Sequence, residues 1–117
     1  MPEYLCLLYS DDTDDEAVRE QRWAELPRWH ALTDRMREAG VWVANNPLHG
    51  VDAATTVRVR DDDVQLTDGP FATTKEVLAG YYLLRCRDLD EALGWAAQLP
   101  IAEYGSVEVR PVLDVDG

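Results

Sequence analysis

Apolar and polar positions change their period several times along the chain. Tyr4-Leu5-Cys6-Leu7-Leu8-Tyr9 is an unbroken apolar run of strand length. A continuous run predicts a strand covered on both faces. Ser10 to Asp15 breaks it with residues that favour turns and helix starts, and acids suit a first helical turn. From about Asp14 to Ala39 the period becomes helical, with Trp23, Leu26, Trp29 or His30, Thr33 and Met36 recurring on one face. Pro27 lacks an N–H and crowds the turn before it, so a kink or restart is expected there. Gly40 is the stop signal.

Val41–Ala44 predicts a short second strand, ended by Asn45-Asn46-Pro47. A loop follows through His49, Gly50 and Asp52. Thr55–Arg60 and Val64–Thr67 then alternate, with Val57 and Val59 on one side and Thr56, Arg58 and Arg60 on the other. Asp61-Asp62-Asp63 between them predicts a hairpin turn. Asp68-Gly69-Pro70-Phe71 is a turn cluster with Phe71 as its apolar anchor. Leu78–Arg85 predicts a strand. Asp88 to Glu91 resembles a capping box ahead of a helical face made by Leu89, Ala92, Leu93, Ala96 and Ala97. Pro100 ends that helix, and Val107–Arg110 alternates as a last strand.

The order is strand, helix, strand, hairpin, strand, helix, strand in one domain, 1–117. Two helices cannot serve about six strands on both sides. The expectation is an α+β fold, a mostly antiparallel sheet with two helices on one face. A second copy of the chain is the simplest cover for the other face.

Composition narrows the partners. The formal net charge is −12, which repels nucleic acid and anionic membranes. No apolar stretch approaches a membrane span and no leader pattern opens the chain, so the expectation is a cytoplasmic protein. Cys6 and Cys86 sit in apolar runs and read as buried thiols. Neither they nor His30 and His49 form a spaced metal-binding cluster, and no cofactor is implied. Asp11–Asp15 and Asp61–Asp63 lack the glycine and distal glutamate of a calcium loop. Of the four tryptophans, at least two are expected to be buried.

Three stretches carry a resemblance. They are Tyr4–Tyr9; Ala54–Arg60 with Thr67-Asp68-Gly69-Pro70-Phe71-Ala72-Thr73-Thr74-Lys75-Glu76; and Gly80–Leu83 with Leu89–Ala92 and Gly105–Val112. In this order and spacing they resemble the DGPF-domain branch of the YCII-related proteins. The resemblance implies a ferredoxin-like fold, a dimeric α+β barrel, a pocket beside the sheet, and in some cases a place beside an extracytoplasmic-function sigma factor. It also implies a His–Asp active-site pair. The aspartate matches Asp68. Counting back from Gly40, the histidine position holds Trp29, with His30 beside it. Thr73 and Ala79 stand where the family has glutamate and glycine.

The residues themselves allow several chemistries. Asp68 could act as a general base with His30 as its helper, or simply form the turn. Arg58 and Arg110, with Arg60 on the same polar side, could hold a small anion bidentately, or pair with the surplus acids. Lys75 is the only lysine, and could contact Asp68 or a ligand. The first function these residues suggest is a homodimer binding a small anionic ligand through Arg58, Asp68, Lys75 and Arg110 on the open sheet face. The rivals are an acid–base enzyme, performing elimination or isomerisation on a small organic acid or aromatic, and an acidic module that docks a basic protein.

Overall fold

A computed structural model describes residues 1–13, 15–72 and 74–116 of the chain. The expected helix start at Asp14 and the departure at Thr73 lie outside that set. The strands are β1 (Glu3–Asp11), β2 (Trp42–Pro47), β3 (Thr55–Arg60), β4 (Asp63–Asp68), β5 (Glu76–Arg85) and β6 (Ser106–Pro111). The α-helices are α1 (Glu16–Ala24), α2 (Leu26–Glu38) and α3 (Leu89–Ala96), with 3-10 turns at Val51–Ala53 and Pro100–Glu103. Four strands make an antiparallel sheet in the order β2-β5-β1-β6, while β3 and β4 form a separate ribbon. This is the expected α+β class with a ferredoxin-like strand order. No helix among the described residues is long and apolar enough to cross a membrane.

Local chemistry explains the element ends. Asp15 caps α1, its carboxylate accepting from the N–H groups of Ala17 at 3.0 Å and Val18 at 3.4 Å. Pro27 sits in the first turn of α2, where its missing N–H has no helical partner to lose. The proline therefore restarts the helix rather than kinking it. Gly40, at φ +76°, turns the chain out of α2. Asp88 caps α3 by accepting from the Glu91 N–H at 2.9 Å, and the Glu91 carboxylate reaches back to the N–H of Arg87 at 2.8 Å.

The sheet is covered on one face only. Tyr4, Cys6, Leu8 and Ser10 of β1 are buried beneath the helices, whereas Leu5, Leu7 and Tyr9 are half-buried on the other side. The apolar run in β1 thus corrects to one packed row and one open row. In the open row Leu5 lies between Leu83 and Arg110, Leu7 between Tyr81 and Glu108, and Tyr9 between Leu78 and Ser106. The β1–β5 register shifts once: Leu8 faces Gly80 but Tyr9 faces Leu78, so Ala79 is an extra residue in β5.

β2 runs on through Asn45 and Asn46 to Pro47 instead of ending at Ala44. Those amides are satisfied within the strand region: Trp42 Nε1 donates to Asn45 Oδ1 at 2.8 Å, and Asn46 Nδ2 donates to the Tyr81 hydroxyl at 2.8 Å.

The core gathers Leu32, Met36, Leu84 and Leu99 with Cys6 and Cys86. Both cysteines are buried and unbridged, as expected. Burial is the main cause that pushes each thiol up to about 11. The tryptophan expectation is corrected. None of the four is fully buried: Trp29, Trp42 and Trp95 pack half-buried against the core, and Trp23 is 69% exposed. Trp23 stays out because α1 buries no residue at all.

The β3–β4 ribbon follows the predicted alternation. Val57 faces Leu66 and Val59 faces Val64. Asp61 and Asp62 close it with φ of 51° and 64°, the left-handed pair that a tight hairpin turn needs. Gly69 has φ +96°, which favours glycine. Its N–H donates to Ala54 O at 2.7 Å, and its carbonyl accepts from Thr56 Oγ1 at 2.8 Å. The turn cluster therefore ties the root of the ribbon together through backbone groups. Phe71 is not its anchor, being 79% exposed.

Candidate functional site

The helical break at Glu25 lets α1 and α2 share one long stripe. Arg19, Arg22 and Trp23 recur at spacings of three and four on α1; Leu26, Trp29, His30, Thr33, Asp34 and Arg37 continue it on α2. Residues so spaced lie on one side of a helix. Together they form the roof of a cleft of about 820 Å³, whose floor is the helix side of the sheet at Leu8, Ser10, Asn45, Ala79 and Tyr82. Ile101 and Tyr104, from the 3-10 turn and the residue after it, close one end. The volume falls in the range of small-molecule sites.

The floor is fixed by hydrogen bonds. The Thr33 hydroxyl donates to Trp29 O at 2.8 Å and lies 2.8 Å from the Tyr82 hydroxyl. Thr33 has one proton, so Tyr82 is the donor of that pair. Trp29 stacks on Tyr82 with ring centres 6.1 Å apart and planes 22° apart. Burial pushes the Tyr82 phenol above its ordinary value, the Thr33 bond and Arg37 opposing it. Tyr82 is thus a rigid, neutral floor group.

The walls are cationic in an acidic protein. Among the described residues, three arginines, Arg19, Arg22 and Arg37, line the cleft against one carboxylate, Asp34. Arg22 bonds to Asp11 at 2.8 Å and lies 4.4 Å above the centre of the Tyr104 ring. Arg37 lies 4.3 Å above the Trp42 ring, with Asp34 at 3.8 Å. Arg19 forms no ion pair with any described residue. The end wall is braced from outside the cleft by Arg28, which holds Glu103 through two bonds of 2.8 and 3.1 Å. Glu25 Oε2 is buried with no hydrogen-bond partner among the described residues, and Tyr104 has its phenol raised by burial and then by Glu25.

A second cleft, of about 670 Å³, lies at the root of the ribbon. Its lining is mostly apolar, including Leu48, Phe71 and Leu78, with His49 and Glu76. Ser106 Oγ donates to that glutamate at 2.9 Å.

The residues singled out from the sequence do not gather at one place. His30 lines the larger cleft. Asp68 is exposed at the end of β4, lines neither cleft, and makes no hydrogen bond to His30 among the described residues. Arg58 is half-buried and donates to Phe71 O at 3.4 Å. Lys75 is exposed just before β5. Arg110 pairs with Glu108 on the open sheet face. Arg19, Arg22, Asp34 and Arg37 were missed as site residues. The signal was present in their helical spacing with Trp23, Trp29 and Thr33, a stripe mixing arginines and aromatics. Among the described residues no three His, Cys, Asp or Glu side chains group as metal ligands.

Residues 3–116 match the sequence pattern of the YCII-related domain. An uncharacterised protein of Rhizobium meliloti (strain 1021) is 38% identical over 112 residues, which is 93% of this chain and 90% of that protein.

Proposed function

The chain belongs to the YCII-related domain family, and on that footing we propose that it is a homodimeric binding protein for a small anion, held in the cleft between α1–α2 and the sheet. The observation that carries this reading is charge contrast. A chain of net charge −12 gathers, among its described residues, three arginines and a histidine against one aspartate around an aromatic cleft. Low-dielectric walls strengthen such a local field. The dimer is supported by the open face of the sheet, where Leu5 and Leu7 stay half-buried on the side away from the helices. Arg58, Lys75 and Arg110 enter this reading at the face between copies, since they line neither cleft of one chain. In its regulatory form, beside an extracytoplasmic-function sigma factor, the bound anion is a signal.

A second reading, an acid–base enzyme, is favoured by His30 at the same cleft. Asp34 lies one helical turn on and lines it too. Asp68 joins this reading only through a second copy.

Native mass spectrometry of the freshly purified protein tests both. The expected result is a dimer that carries a small acidic compound and releases it unchanged on denaturation. A monomer carrying nothing, with tryptophan emission indifferent to added organic anions, sinks the binding reading. Steady chemical conversion of the released compound, abolished by His30→Gln, replaces it with the enzyme.

A further inference from the structure

We infer that the anion in this cleft is a flat aromatic carboxylate, its charge held by Arg19 and its ring laid against Trp23 and Trp29. This rests on the cleft being the ligand site, and adds the chemical class.

The charge follows from which arginines are already committed. Arg22 is bonded to Asp11 and covers Tyr104. Arg37 covers Trp42 and has Asp34 beside it. Arg19 points no guanidinium bond at any acid among the described residues. One uncommitted guanidinium balances one negative charge, and its planar fork matches a carboxylate.

A phosphate ester fits less well. A dianion calls for a second cation or the free N–H groups of a helix start. The start of α1 is filled by the carboxylate of its own Asp15. The start of α2 has Glu25 at its cap position and Pro27 in its first turn. Neither helix offers the cleft an anion-binding end.

The flat shape follows from the walls. Arg19 and Trp23 are four residues apart on α1, which sets their side chains next to one another. A ligand that meets both has its charge attached directly to its apolar body, not at the end of a long chain. Trp23 is 69% exposed, although it lines the cleft. The fold makes no use of that indole face, and a ring laid on it recovers apolar burial. Trp29 is held in place by stacking on Tyr82, so one side of the slot is rigid before a ligand arrives.

The test titrates sodium benzoate, cyclohexanecarboxylate, benzyl alcohol and phenyl phosphate into the full-length protein, by calorimetry and tryptophan emission. Benzoate is expected to bind about ten-fold or more tightly than each of the others, as a charge-assisted contact plus ring stacking requires. Arg19→Gln is expected to weaken benzoate about ten-fold and bring it level with benzyl alcohol. Trp23→Leu is expected to bring benzoate level with cyclohexanecarboxylate. Arg19→Gln and Trp23→Leu lie on a helix that buries nothing, so their urea midpoints are expected to match the parent. Tightest binding by phenyl phosphate or benzyl alcohol, or equal binding of all four, overturns the ligand class and leaves the cleft standing. So does an acidic compound released by the purified protein when none of the four binds. No binding by the panel and nothing released removes the cleft reading itself.

Discussion

Glycines show how much one side chain can decide. A Cβ added at Gly105 meets Tyr9 O at 2.1 Å, and that oxygen belongs to the central strand β1. Nothing nearby can give without moving the strand. A Cβ added at Gly94, within α3, meets nothing inside 4 Å. Urea unfolding is therefore expected to move in opposite directions at the two positions. Gly105→Ala is expected to cost about 3 kcal/mol by forced overpacking, and Gly94→Ala to add about 1 kcal/mol by helix propensity. Equal effects at the two sites would mean that backbone approach does not govern Gly105. Nothing around Gly105 in the sequence sets it apart from a turn glycine. The close approach of β1 is a tertiary fact. Gly69 is different, because Asp-Gly-Pro is a turn signal in its own right, and its φ of +96° agrees with that.

Among the helices that line the cleft, α1 is the less secured. It buries no residue and is held to the sheet through Arg22, by the bond to Asp11 and the contact over Tyr104. Exposed pairs of this kind contribute little to global stability, so the effect is local. The Arg22 bond is the main cause holding the Asp11 carboxyl below its ordinary value. A depressed carboxylate stabilises above its ordinary pKa, and that support is lost as pH falls through the lowered value. Hydrogen exchange across Glu16–Ala24 is expected to rise several-fold in Asp11→Asn at neutral pH, and in the parent when acidified. The global midpoint of Asp11→Asn is expected to stay near that of the parent. Unchanged exchange in the variant would place the hold on α1 elsewhere. The sequence made this stretch legible as helical, with a kink or a restart left open at Pro27; the structure resolves that into two helices meeting at Glu25. The sequence did not reveal the cleft, because the cleft exists only where that helix meets β1, β2 and β5 across long stretches of chain. The hairpin was legible as two alternating strands and a turn of aspartates, but not in its register: the turn takes only Asp61 and Asp62, and Asp63 joins β4 opposite Arg60.

The whole molecule is spread out for its length. Its radius of gyration is 16.3 Å and its extents are 46 × 46 × 18 Å, where a compact chain of this size has about 13 Å. The ribbon is the reason. Val57, Val59, Val64 and Leu66 line one of its faces with exposures between 56% and 69%. A lone two-stranded ribbon is marginal in water. The same chain leaves an apolar row open on its main sheet, so each copy has both a surface to cover and a surface that covers. In the proposed homodimer the ribbon of one copy packs on the other. Leu66→Lys is expected to give a monomer by analytical ultracentrifugation while far-ultraviolet circular dichroism is retained. Two copies of net charge −12 repel, so the parent dimer is expected to tighten as salt rises. A Leu66→Lys dimer as tight as the parent would exclude the ribbon from the interface. The alternation that fixed the ribbon was also the sign of its exposure. What lies against it was not in the sequence of one chain.

The extra residue at Ala79 has a consequence for heredity as well as for shape. Alternation along β5 would put Leu78 on the side of Gly80, but the bulge moves it into line with Tyr9 and Ser106. The two halves of the strand are therefore written out of phase. Loss of that one codon would change no chemistry in the residues from Glu76 to Leu78, yet would exchange their inside for their outside and take Glu76 away from Ser106. At this place the chain can accept many replacements more easily than a single deletion, because the count of residues carries the information.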